Sequence, residues 1–184
     1  HSESRILIVS SEDLYIKLKP VFDKIDSLEE IYTIEKVEGV NNWIEISELG
    51  ASKDKELRSE LISRRDNVLP EDLLTLIYTS GTTGLSKGVM LSHNNVVSNC
   101  KLAHNVVTYL KPNERALSFL PLSHVLERVG NYLWQSIGLR IYYAENIETI
   151  GDNMREIKVN VFITVPRVFE KVYDKIINKG RELS

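Results

Sequence analysis

Residues 78–95 read YTSGTTGLSKGVMLSHNN, a glycine- and hydroxyl-dense stretch closed by Lys87 and bracketed by apolar runs. Thr79, Ser80, Thr82 and Thr83 set four hydroxyls beside Gly81 and Gly84, so side-chain donors and backbone N–H groups can converge on one polyanion. Lys87 supplies the charge. A backbone wrapped around phosphate oxygens visits positive φ and leaves no room for a Cβ, which is what glycine permits. The run Leu73–Ile77 reads as a strand delivering the loop, and Val89–Leu91 as a strand leaving it. On both sides of it strands and helices alternate, the pattern of an α/β layered fold with a mostly parallel sheet flanked by helices.

Spacing decides which phosphate loop this is. A Walker A loop runs from its first glycine into Gly-Lys-Ser/Thr at the mouth of a helix, whereas Gly84 is followed by Leu85, Ser86, Lys87 and Gly88. That counts against a P-loop phosphotransferase. A dinucleotide fingerprint needs a second closely spaced glycine, and Gly81 and Gly84 stand three apart with none before them. Taken alone, a Ser/Thr/Gly cluster is most often a solvated turn.

Working outward, residues 5–9 (RILIV) read as a strand, and Ser10, Ser11, Glu12 and Asp13 as an acidic helix start, followed by a helix over 14–25 and a strand over 31–37. That lead-in, 1–37, is a βαβ unit with parallel strands and a right-handed crossover. Residues 38–70 form a charged excursion in which 43–49 is ambiguous and 51–65 is a helix. The unit 71–184 then carries a strand at 73–78, the loop, a strand at 88–91, and a helix at 93–108. Further on come strands at 115–119, 139–143 and 159–164, alternating with helices at 122–136, 147–156 and 166–179. In the helix from His93, Val96, Val97, Cys100, Ala103, Val107 and Leu110 share a face, so Cys100 reads as a small buried hydrophobe rather than a nucleophile. Val168, Phe169, Val172, Tyr173, Ile176 and Ile177 make a similar face at the end of the chain.

Composition narrows the function classes. The 184 residues are 42% apolar and 27% charged with net charge −3, ordinary for a folded domain and without the basic cluster of a nucleic-acid or polybasic membrane surface. Cys100 is the single cysteine, so there is no internal disulfide and no thiolate metal cluster, and a reducing compartment fits. No apolar run approaches the roughly 20 residues of a membrane helix. A cytoplasmic location follows, with peripheral contact to the inner face of the membrane and the oligomeric state both left open.

The loop resembles that of the adenylate-forming (AMP-binding) superfamily, whose Ser/Thr/Gly run is followed by Gly-x-Pro-Lys-Gly. Here that pattern is Thr83-Gly84-Leu85-Ser86-Lys87-Gly88, with serine where the family has proline, which leaves the turn less stiff. Two further segments are similar to the same family. Within ALSFLPLSHVLERV (116–129), the Leu-Ser-His-Val-Leu-Glu-Arg form is closest to the long-chain fatty acyl branch. Within FITVPRVFEKVYDKI (162–176), Val165-Pro166-Arg167-Val168-Phe169-Glu170 has the look of the same branch, with Arg167 a candidate for a site-facing charge.

The resemblance implies a fragment of a bacterial long-chain fatty acid–CoA ligase that uses fatty acid, ATP and CoA. It implies that Thr79, Ser80, Gly81, Thr82, Thr83, Gly84 and Lys87 bind the nucleotide phosphates and that Mg²⁺ reaches Thr83 through those phosphates. It also makes His124 a candidate catalytic pocket residue, set against the reacting carboxylate or donating to the acyl-adenylate, with a merely packed imidazole as the alternative. Glu127 and Arg128 read equally well as an adjacent surface pair of little energetic consequence. The runner-up is an aryl- or amino-acid-activating relative; a non-catalytic nucleotide-binding module is the bland alternative. The family's later motifs, including the ribose-binding Asp segment and the adenylating lysine, have no counterpart here, so the chain reads as cut from a longer enzyme and inactive by itself.

Overall fold

The computed structural model describes residues 2–80, 86–170, 173 and 177. The chain divides into two compact units, His1–Leu69 and Pro70–Ser184.

In the first unit, β1 (Ile6–Val9), β2 (Glu30–Thr33) and β3 (Asn41–Asn42) form a parallel sheet in that order. The helix α1 (Glu12–Phe22) crosses from β1 to β2, and the Ser11 hydroxyl caps it by accepting from the Leu14 N–H. The expected βαβ lead-in is present, with β1 and β2 paired from Ile6↔Glu30 to Val9↔Thr33. β2 stops at Thr33 rather than running to Val37. The cause is Asn42, whose Nδ2 donates to the main-chain carbonyls of Thr33, Ile34 and Glu35 and so takes the acceptors a continued strand would use.

Asn42 also starts α2 (Trp43–Asp66): its Oδ1 accepts from the Ile44 N–H at 3.1 Å and the Glu45 carboxylate accepts from its N–H at 2.8 Å. This capping box resolves the ambiguous 43–49 segment, which joins 51–65 in one 24-residue helix. α2 buries no residue and is laced by Arg58–Asp54 and Arg64–Glu60 pairs one turn apart. Because an aspartate at 42 still caps but donates nothing, Asn42→Asp should destabilise this unit by about 1–3 kcal/mol, the cost of leaving buried carbonyls without donors. Urea melts of the two proteins test this; equal midpoints would dismiss the three-carbonyl clamp.

In the second unit, β4 (Leu73–Thr79) and β5 (Lys87–Ser92) form an antiparallel pair. After α3 (His93–His104) come β6 (Arg115–Ser118), α4 (Val125–Ile137), β7 (Arg140–Tyr143), α5 (Ile150–Ile157) and β8 (Val161–Phe162), with a parallel sheet ordered β7-β6-β8. The α/β expectation holds, with one antiparallel hairpin among parallel strands. The sheet order reverses at β6, and the carboxyl ends of its strands share one edge, where open α/β sheets place their ligands.

Val96 and Cys100 of α3, Ala116 of β6, and Leu133, Trp134 and Ile137 of α4 make the core together with Leu110 and Leu139. Val97, expected on the inner face of α3, is 45% exposed. α3 ends at His104 rather than 108, and Leu110 reaches the core from the segment beyond it. α4 ends on Gly138, whose φ of 82° is the left-handed cap that glycine adopts without strain. Inside α4, a Cβ on Gly130 would lie 2.3 Å from Ile163 Cδ1, so glycine here admits the chain after β8. Residues 166–170 are helical, but Phe169 and Tyr173 face solvent rather than the expected core; Val172 and Ile176 lie outside the described residues.

Candidate functional site

The β4–β5 hairpin builds the first half of the site. Its register runs Ile77↔Val89, Tyr78↔Gly88 and Thr79↔Lys87, so the last pair before the loop sets the Thr79 hydroxyl across from the Lys87 ammonium on one face. Thr79, Ser80 and Lys87 are all exposed. Gly88 gives the Tyr78 ring a close seat that the loop chemistry alone did not suggest: a Cβ there would come within 3.3 Å of the ring, which lies over it from the facing strand and would have to shift slightly to admit it. Gly81, Thr82, Thr83 and Gly84 lie outside the described residues.

The second half grows from the carboxyl end of β6. Residues 119–123 leave the sheet and His124 becomes the N-cap of α4, so that helix starts three residues later than 122. His124 Nδ1 accepts from the Leu126 N–H at 3.4 Å. A neutral imidazole used in this way carries its proton on Nε2, leaving that nitrogen as the donor of an exposed side chain. Arg128 Nε donates to the Leu122 carbonyl at 2.9 Å and the His124 N–H to the Pro121 carbonyl at 2.9 Å, so the turn is held at its middle as well as its end. Among the described residues, no hydrogen bond joins His124 to Thr79, Ser80 or Lys87. Arg167 is exposed.

Glu127 corrects the surface-pair expectation, because it is only 1% exposed. The Ser118 hydroxyl donates to its Oε1 at 2.5 Å, and Asn131 Nδ2 donates to the Ser118 oxygen at 3.1 Å and to the Glu127 carbonyl at 3.0 Å. The Tyr143 hydroxyl closes the chain by donating to Asn131 Oδ1 at 3.0 Å. Oε2 of Glu127 is buried without a partner. A helical signal was available: positions 127, 130, 131 and 134 share the inner face of α4 with Leu133 and Ile137.

Burial pushes the Glu127 carboxyl above its ordinary value near 4.5, against the opposing pull of its Ser118 and Asn131 bonds. Burial likewise raises the Cys100 thiol, whose Sγ donates to the Val129 carbonyl, which keeps it protonated and inert. Since folded Glu127 holds its proton more tightly than the unfolded chain does, stability is lost as pH rises from about 4.5 through the raised value. Glu127→Gln does not titrate. Its stability should therefore gain on the wild type as pH climbs through that window, and denaturant melts giving parallel pH curves for the two proteins would refute the upward shift of Glu127.

Among the described residues no group of three His, Cys, Asp or Glu side chains is arranged to hold a metal, and no helix is long and apolar enough to cross a membrane. The donor set at the hairpin is hydroxyl and ammonium. It suits phosphate oxygens, and a Mg²⁺ ion arriving with its nucleotide needs few protein ligands of its own.

Comparison with known proteins shows the family of the chain. A long-chain-fatty-acid–CoA ligase of Mycobacterium tuberculosis is 34% identical over 174 residues, covering 94% of this chain and 28% of the relative. The ACSBG2 long-chain-fatty-acid–CoA ligase of Xenopus laevis is 31% identical over 194 aligned positions, covering 99% of this chain and 26% of the relative. The chain thus spans about a quarter of the length of these relatives. In fold, it is similar to a long-chain-fatty-acid–CoA ligase from Archaeoglobus fulgidus (TM-score 0.68, 24% identity, 96% of this chain and 33% of that one). It is also similar to a red-emitting luciferase from Phrixothrix hirtus (TM-score 0.64, 19% identity, 91% and 32%). The profile of the AMP-binding enzyme family matches residues 1–183, and the chain belongs to that family.

Proposed function

We propose that the chain is the phosphate-loop portion of an ATP-dependent long-chain fatty acid–CoA ligase. The observation that carries the reading is the Thr79↔Lys87 register, which brings a hydroxyl and an ammonium to the mouth of a glycine-rich loop. In the reaction so assigned, an oxygen of the fatty carboxylate attacks the α-phosphorus of ATP, the Pα–O–Pβ bond breaks, and pyrophosphate leaves. The CoA thiol then attacks the acyl carbonyl and AMP departs. Such transfers need positioning and charge neutralisation more than covalent help.

Thr79, Ser80, Thr82 and Thr83 would hold the β- and γ-phosphate oxygens with the backbone at Gly81 and Gly84, while Lys87 offsets charge. Mg²⁺, which neutralises the departing phosphates, would come with the nucleotide near Thr83. His124 Nε2–H offers a donor to the reacting carboxylate. A cytoplasmic location supplies ATP and CoA. The full-length protein tests the reading through ATP–pyrophosphate exchange: exchange that depends on a long-chain fatty acid is expected. Exchange driven only by amino or aryl acids would move the assignment to another branch of the family.

The 184 residues alone should bind Mg-ATP no better than about millimolar, because a few net hydrogen bonds of about 0.5–3 kcal/mol each must offset several kcal/mol of lost ligand freedom. Calorimetry decides this. Micromolar affinity would show that ribose and adenine contacts are already supplied within these residues.

A further inference from the structure

The Phe119–His124 turn is stapled at its base by a contact between residues nine apart. Ser118 closes β6, Glu127 lies in the first turn of α4, and their 2.5 Å hydrogen bond draws together the two ends of the segment that carries His124. Asn131, one turn further along α4, bonds to both members, and Tyr143 at the end of β7 steadies Asn131. Ser118 and Tyr143 are register partners at the carboxyl ends of neighbouring parallel strands, so the network sits on the edge of the sheet where a ligand is expected.

An acid is a costly choice for this place. Glu127 is buried, pairs with no cation among the described residues, and has one oxygen without a partner. The only other titratable side chain in the network is Tyr143, reached through Asn131. If stability alone were served, an apolar residue would fill the same volume without desolvating a carboxyl.

We propose that Glu127 is a positioning residue: by tying Ser118 at the end of β6 to the first turn of α4, it fixes the 119–124 turn and hence the direction of the His124 imidazole. The proposal rests on the ligase reading above. His124 Nδ1 is committed to capping the same helix turn that Glu127 anchors, so the heading of Nε2 follows the staple rather than the imidazole's own rotamer freedom. Glutamine reproduces the shape and one acceptor oxygen of Glu127 in neutral form, so it preserves the staple. Alanine removes it.

Fatty-acid-dependent ATP–pyrophosphate exchange by the full-length protein tests this with wild type, Glu127→Gln, Glu127→Ala and Ser118→Ala. Glu127→Gln should stay within about threefold of wild type, while Glu127→Ala should lose at least about tenfold in kcat with the KM for ATP unchanged, since small misplacements of a reacting group carry penalties of this size. If Glu127→Ala does not fold, Ser118→Ala breaks the same tie at little volume cost and should lose about threefold or more in kcat, again at constant ATP KM. Wild-type kcat in the variant that folds, or Glu127→Gln as impaired as Glu127→Ala, overturns the proposal. A wild type with no fatty-acid-dependent exchange overturns the ligase reading instead. Positioning is then read from the ¹⁵N imidazole signals of His124, which should shift in the folded alanine variant and not in Glu127→Gln; unchanged signals in both overturn it.

Discussion

Trp134→Ala should lower the unfolding free energy of the Pro70–Ser184 unit by about 3–5 kcal/mol, the range for removing a large aromatic from a packed core. Trp134 is 2% exposed and lies in the cluster formed by α3, β6 and α4. Its indole Nε1 is buried without an acceptor, so the wild type already carries an unsatisfied donor, and deleting it returns part of the loss. The result should therefore fall toward the lower end. Trp134→Phe separates the two terms: it keeps most of the ring and discards the donor, and should cost less than about 1.5 kcal/mol. Circular dichroism is the appropriate signal, because the other tryptophan, Trp43, belongs to the first unit. An alanine variant within about 1 kcal/mol of wild type would mean that the cavity collapses or that Trp134 is not central to this core.

The alternation of strands and helices was legible because apolar periodicity changes between 2.0 and 3.6 along the second half of the chain, most clearly where α3, β6 and α4 bury one side in the core. α3 shows the limit of that rule. Val96 and Cys100 point inward as the spacing predicts, but Val97 does not, since the apolar stripe of α3 is wider than the surface α4 and β6 cover. The elements that were misread are those decided by side-chain hydrogen bonds. Asn42 ends β2 and begins α2 with one amide, and nothing in the local hydrophobic pattern announces that. Glu127 was misplaced for the same reason: its charge argues for the surface, while its position on the face shared with Trp134 argues for the interior, and the Ser118 and Asn131 bonds settle the contest. The glycine and hydroxyl pattern of the 79–84 stretch is visible in residue type and spacing, whereas the Tyr78 ring over Gly88 required the strand register.

Lys87→Ala in the full-length protein should slow ATP–pyrophosphate exchange by at least about tenfold, as expected for losing one preorganised electrostatic contact to a reacting phosphate. Lys87 ends the hairpin across from Thr79, its side chain is exposed, and among the described residues no carboxylate forms an ion pair with it. Its charge is thus available to a ligand rather than committed to the fold. The corollary is that the variant's thermal unfolding should match wild type to within about 0.5 kcal/mol, the usual range for a surface substitution without a structural role. Lys87→Arg keeps the charge but replaces a compact ammonium with a planar fork, so it should recover part of the rate and no more. Raising ionic strength should narrow the gap between wild type and Lys87→Ala, because an exposed cation at a loop mouth is screened. Exchange that is unchanged in Lys87→Ala, with stability also unchanged, would remove Lys87 from phosphate binding and leave the hydroxyls and backbone of the loop to carry the nucleotide alone.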